Sequence, residues 1–161
     1  MKKIFLSVII NFLILFLAEA QNIKLLTSGT KTSLRGLCVV TDKIIWASGS
    51  NGKIAKSIDG GITWQWLTVK GFEKNDFRDI EAFNDSTAII MAVGEPAYIL
   101  KTTNAGISWT TVYKNETKGM FLDAMDFLDD KNGVVVGDPI NGHFFIARTT
   151  NGGETWNEIF I

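Results

Sequence analysis

Arg35, Arg78, Asp79, Glu95, Asp123, Asp138 and His143 are the residues of this 161-residue chain whose types and recurrence suit ligand chemistry. An arginine offers a planar fork of donors that grips a carboxylate or phosphate by two parallel hydrogen bonds. A group of carboxylates suits a cation or a basic peptide. Laid over itself at its own period, the chain puts Arg35 beside Arg78 and Asp79 beside Asp123, and sets Gly94-Glu95-Pro96 on Gly137-Asp138-Pro139 with His143 close by. Together they outline a charged rim. Neighbouring repeats that pair their own charges would show the same pattern, since exposed charge is common and junction charges often satisfy each other.

Other chemistries lack their residues. One His and one Cys do not make a typical zinc site, so no metal is expected. No Gly-x-Gly-x-x-Gly follows a strand, so no nicotinamide or flavin cofactor is expected either. Cys38, the single cysteine, excludes an intrachain disulfide, and its setting in Leu37-Cys38-Val39-Val40 reads as a buried strand thiol acting as a small hydrophobe.

The elements that would carry the rim are announced by one octet occurring three times: Ser57-Ile-Asp-Gly-Gly-Ile-Thr-Trp64, Thr102-Thr-Asn-Ala-Gly-Ile-Ser-Trp109 and Thr149-Thr-Asn-Gly-Gly-Glu-Thr-Trp156. Each fixed position has a reason. Asp59, Asn104 and Asn151 can hydrogen-bond the backbone beyond them, and the hydroxyls of Ser57, Thr63, Thr102, Ser108, Thr149 and Thr155 assist. Gly61, Gly106 and Gly153 allow the positive φ of a tight turn, and Trp64, Trp109 and Trp156 plug it from below. These are turn staples, not ligand sites. The tryptophans stand 45 and then 47 residues apart. That period, with short apolar runs between Gly turns, predicts an all-β β-propeller of four-stranded antiparallel blades.

The octets resemble Asp-box (BNR) repeats. Ile99-Leu-Lys-Thr-Thr-Asn-Ala-Gly-Ile-Ser-Trp109 and its echo Ile146-Ala-Arg-Thr-Thr-Asn-Gly-Gly-Glu-Thr-Trp156 are similar to the propellers of the photosystem II assembly and stability factor type, over about residues 33–161. Boxes two and three depart by carrying Asn for Asp, and box two by Ala105 for the first Gly; the turn chemistry survives both. Since the box also occurs in sialidases and sortilin-like receptors, the resemblance implies architecture before activity. The assembly-factor likeness implies a rigid scaffold that holds a partner protein. The sialidase likeness would require an arginine cluster, a Tyr–Glu pair and an acid/base Asp, for which Arg35, Arg78, Tyr98, Glu95 and Asp79 are the candidates; the Arg-Ile-Pro signature is absent before the first box.

Overlaying the repeats predicts blade 1 over residues 35–69, blade 2 over 77–113 and blade 3 over 121–161. In each, two apolar inner strands surround a polar turn, and an outermost strand follows the Trp. The spacing from Gly137 to Trp156 exceeds its counterparts by four residues, placing an insertion near Pro139-Ile-Asn-Gly-His143. The sequons Asn84-Asp-Ser86 and Asn115-Glu-Thr117 are read as plain loops.

Residues 1–20 have the basic start, apolar stretch and Ala18-Glu-Ala20 ending of a secretory signal peptide, cleaved before Gln21. The protein is therefore expected to be exported, to a periplasm or the exterior, with no stable membrane span after cleavage. Its loss removes two basic and one acidic residue from a chain with 16 Lys and Arg and 17 Asp and Glu, leaving a formal charge of −2, which does not suit nucleic acid. Residues 21–34 form an N-terminal segment in which Ile23-Lys-Leu-Leu-Thr27 has the pattern of a ring-closing strand. About three blades fall short of the roughly four to eight that close a ring. The chain thus reads as the N-terminal part of a larger propeller, its open edges met by missing blades or by other copies. The expected function is an exported scaffold that binds a protein or glycan without a catalytic step, with a sialidase-like glycoside hydrolase as the alternative.

Overall fold

A computed structural model of the chain describes residues 30–159. The signal peptide and the strand expected over Ile23–Thr27 lie outside that span. Among the described residues twelve strands form three separate four-stranded antiparallel sheets, each in the order of the chain. Blade 1 holds β1 (Leu34–Val39), β2 (Ile45–Gly49), β3 (Lys53–Ser57) and β4 (Gln65–Thr68). Blade 2 holds β5 (Asp76–Ala82), β6 (Ala88–Val93), β7 (Ala97–Thr102) and β8 (Thr110–Asn115), and blade 3 holds β9 (Leu122–Phe127), β10 (Gly133–Ile140), β11 (His143–Thr149) and β12 (Asn157–Glu158). No α-helix occurs among the described residues.

The innermost strands β1, β5 and β9 adjoin one another, and the sheets stack face to face behind them. Blade 2, covered on both sides, shows this in its sequence. Its second strand is an unbroken apolar run, Ala88-Ile-Ile-Met-Ala-Val93, because both faces of that strand are buried. Ala88, Ile90 and Ala92 join Trp46 and Ile54 in the core between blades 1 and 2; Ile89 and Met91 join Met125 and Val135 in the core between blades 2 and 3. Trp46 is fully buried, and its indole N–H donates to the Asn84 carbonyl of blade 2 at 3.0 Å. Truncating a buried aromatic to Ala costs about 3–5 kcal/mol, so this side chain is a principal clamp between two blades.

The octets close the turns between third and fourth strands. Ser57 Oγ donates to Asp59 Oδ1 at 2.8 Å and accepts the Gly61 N–H at 2.8 Å, and Asp59 Oδ1 accepts the Thr63 N–H at 2.9 Å. Thr102 and Asn104, and Thr149 and Asn151, repeat the pattern. In the asparagine boxes the side-chain amide donates to the Ser108 or Thr155 hydroxyl, whereas in box one the Thr63 hydroxyl donates to Asp59. A hydroxyl can play either part, which is why the two residue types exchange. Gly106 sits at φ +81 with Trp46, Ile54 and Leu67 of blade 1 around the place of a Cβ, and Gly153 likewise meets Ile89 of blade 2, so boxes two and three also dock on the preceding blade.

Candidate functional site

The site begins with one irregularity repeated in each innermost strand. In β1, Leu34 pairs with Gly49 and Gly36 with Ser48, leaving Arg35 between them without a partner on β2. In β5, Phe77 pairs with Ala92 and Asp79 with Met91, leaving Arg78. In β9, Leu122 pairs with Gly137 and Ala124 with Val136, leaving Asp123. Each is a β-bulge, whose extra residue leaves the ladder and re-aims its side chain. Arg35, Arg78 and Asp123 are thus one structural position in three blades, and they line a single cavity of about 390 Å³ with Asp79.

That alignment corrects the sequence reading by one residue. The partner of Asp123 in the repeat is Arg78, and the positions equivalent to Asp79 are Gly36 and Ala124. The four residues meet nonetheless, because Asp79 follows the bulge directly.

The charges connect across the blade boundaries. Arg35 of blade 1 lies 3.7 Å from Asp76 of blade 2, and Arg78 of blade 2 lies 3.5 Å from Asp123 of blade 3 while its Nε donates to the Asp123 carbonyl at 3.0 Å. The Arg78 guanidinium also lies 5.2 Å from the centre of the Phe121 ring. Both ion pairs are more than a third exposed, so they contribute little to stability and leave donors facing solvent. Asp79 is held differently. Its two oxygens accept the backbone N–H groups of Ile80 and Met125, each at 2.9 Å, and burial pushes its carboxyl above the usual range against the pull of those bonds.

Behind Asp79 runs a second acidic layer that composition did not announce. Glu81 rises to about 7, first through burial and then through the negative charges of Asp79 and Asp126. Cys38 is half-buried beside it, with Sγ 3.8 Å from Glu81 Oε2, and accepts the Ala82 N–H at 3.3 Å. The thiol is therefore more exposed and more polar in its contacts than a simple core hydrophobe; burial raises its pKa, which disfavours the reactive thiolate.

The remaining rim candidates stand apart from the cavity. Glu95 accepts the Gly119 N–H at 2.6 Å in the connection between blades 2 and 3. Asp138 is exposed on β10 beyond the bulge. His143 opens β11, in the hairpin where the four-residue insertion falls, and lines a different cavity of about 210 Å³ with Asn115, Phe144 and Glu158. Tyr98 packs edge-on against Phe72 with ring centres 5.0 Å apart. Neither Tyr98 nor Glu95 lines the arginine cavity. Among the described residues no group of three or more His, Cys, Asp or Glu is placed to hold a metal ion, and no helix is long and apolar enough to cross a membrane.

Comparison with known proteins gives this arrangement its relatives. A family model described as photosynthesis system II assembly factor YCF48 matches residues 18–118. Among solved structures, the chain is similar to YCF48 bound to D1 peptide, at 24% identity and a TM-score of 0.62, covering 81% of this chain and 41% of that one. It is similar to YCF48 from Cyanidioschyzon merolae at 19% identity and a TM-score of 0.63, covering 84% and 42%. An ancestral GH74 enzyme shares the fold at 13% identity and a TM-score of 0.56, covering 80% and 20%. The chain thus spans about two fifths of the length of the YCF48 structures. No curated protein matches it.

Proposed function

Because the chain belongs to the photosynthesis system II assembly factor YCF48 family, we propose that it is a scaffold which holds a peptide segment of a partner protein at the cavity lined by Arg35, Arg78, Asp79 and Asp123. The observation that carries this reading is the repeated bulge. It sets two half-solvated guanidinium groups from successive blades on one cavity, each with donors left over from a loose ion pair. Two such forks suit a carboxylate, and the flanking Asp79 and Asp123 suit the backbone N–H groups or a basic side chain of the same peptide. A relative that holds a D1 peptide supports a peptide over a glycan as the partner.

Titration calorimetry with a synthetic peptide ending in a free carboxylate, against its amidated twin, tests the reading. The free acid binds more tightly, and Arg35→Ala with Arg78→Ala together reduce its affinity at least about tenfold, the scale of one charged hydrogen bond. Equal binding of acid and amide, or preference for a sialylated glycan, overturns it.

We also infer that this work is done outside the cytoplasm. The support is the leader-like pattern of residues 1–20. Exported protein whose N-terminus is Gln21 agrees with it; retention of the intact chain in the cytoplasm refutes it.

A further inference from the structure

Each arginine of the cavity rests on a second recurrent position, supplied by the blade that follows it. Asp76 opens β5 and Phe121 directly precedes β9, each two residues before the bulge residue of its own blade. Arg35 of blade 1 lies 3.7 Å from Asp76, whereas the Arg78 guanidinium of blade 2 lies 5.2 Å from the centre of the Phe121 ring. One structural place thus backs one arginine with a carboxylate and the next with an aromatic face.

The two backings act differently on a fork of donors. A carboxylate competes with an anionic ligand for the same N–H groups, while a ring takes the flat face of the cation and leaves the donors along its edge to others. Arg78 is fixed further: Nε donates to the Asp123 carbonyl at 3.0 Å and Nη2 lies 3.5 Å from Asp123 Oδ1, so Nη1 is left without a partner among the described residues. Arg35 has one ion pair among the described residues, with Asp76, and the residue of blade 2 in the place of Asp123 is Arg78, a like charge. The aromatic platform is itself anchored. The Phe121 carbonyl accepts the Asp138 N–H at 2.9 Å, and a Cβ at Gly137 would collide with that carbonyl.

We infer that Phe121 is a positioning residue of this cavity: its ring holds the Arg78 guanidinium by its face, which makes Arg78 the pre-set grip on a peptide carboxylate and Arg35 the looser second. The inference rests on a carboxylate being the ligand. A side chain ordered before binding loses less freedom when the ligand arrives, so the bonds it forms contribute more net affinity. The asymmetry also sets a direction in the cavity, with the carboxylate on the blade 2 side at Arg78 and the looser Arg35 free to follow it.

Titration calorimetry of the full-length protein with an N-acetylated alanine peptide, as free acid and as amide, tests this, with circular dichroism confirming that each variant keeps its sheet. Phe121→Leu keeps an apolar side chain without a ring; it weakens binding of the free acid about twofold to fivefold, the scale of an exposed cation–π contact, and leaves the amide unchanged. Phe121→Tyr restores the wild-type affinity. Arg78→Ala costs more affinity than Arg35→Ala. Because Asp76 holds the same place in blade 2, Asp76→Phe tightens the free acid beyond Asp76→Leu, which removes the same charge without supplying a ring. That gain does not arise from a damaged fold. Wild-type affinity in Phe121→Leu, equal losses in the two arginine variants, or equal binding by the two Asp76 variants overturns the inference while the acid still outbinds the amide. If the wild-type protein binds acid and amide alike, the carboxylate reading itself falls and this inference with it.

Discussion

Asp79 of blade 2 accepts the backbone N–H of Met125 in blade 3 at 2.9 Å, so an innermost strand is tied to its neighbour by a side chain in place of a ladder. Strands of adjacent blades share no sheet, and an N–H on the free edge of β9 has to find its partner elsewhere. Asp79→Ala leaves that donor without its acceptor and should cost about 1–3 kcal/mol in urea unfolding. Asp79→Asn keeps one carbonyl acceptor and should cost less. Equal stability of Asp79→Ala and the parent would show that water replaces the carboxylate.

Glu81 makes stability depend on pH. Its carboxyl titrates from 4.5 to about 7 on folding, so the folded chain holds the proton more tightly than the unfolded one. The stabilisation from that proton is fully present below about pH 4.5 and is lost as pH rises through about 7. Because the group is partly exposed, the loss should be about 1–2 kcal/mol, well under what the shift alone implies. Asp79, whose carboxyl is also raised, adds in the same direction. Glu81→Gln should flatten the fall in Tm between about pH 4.5 and about pH 7, the window set by the same carboxyl; an unchanged slope would place the titration on another group.

The boxes should tolerate Asn for Asp and reject loss of the hydroxyl. Asp59→Asn reproduces boxes two and three, with Thr63 changing from donor to acceptor, and should leave Tm nearly unchanged. Ser57→Ala removes the buried acceptor of the Gly61 N–H and should cost about 1–2 kcal/mol. Thermal unfolding of the two variants side by side checks both outcomes.

The tryptophans of the boxes are not equivalent. Trp109 donates its indole N–H to the Gly106 carbonyl at 3.2 Å, whereas Trp156 Nε1 is buried without a hydrogen-bond partner among the described residues and its ring meets Phe127 edge-on. Trp109→Phe gives up a hydrogen bond and should cost about 1 kcal/mol more than the loss of packing alone. Trp156→Phe relieves an unsatisfied donor and should be the milder change, as measured by the denaturant midpoint.

The blades were legible in the sequence because every residue of the octet acts within its own turn, where spacing and contact coincide. Ser57 and Gly61 are four residues apart and touch. The cavity was legible only in outline. Arg35 and Arg78 recur at the period of the blades, but the bulge adds one residue to the innermost strand without altering composition, so Asp123 was matched to Asp79 where it matches Arg78. Glu81 and Asp126 gave no signal at all: polar residues alternate with apolar ones along any half-covered strand, and their nearness arises from two blades meeting.

The bulge also separates two demands that a strand usually makes of the same residue. Arg35, Arg78 and Asp123 take no place in the cross-strand pairing, so their identities are free of the requirements that hold a sheet together. Each blade contributes one such unconstrained side chain to the cavity. A substitution at any one of them can therefore change the charge of the cavity one blade at a time, while the stack that supports it stays the same.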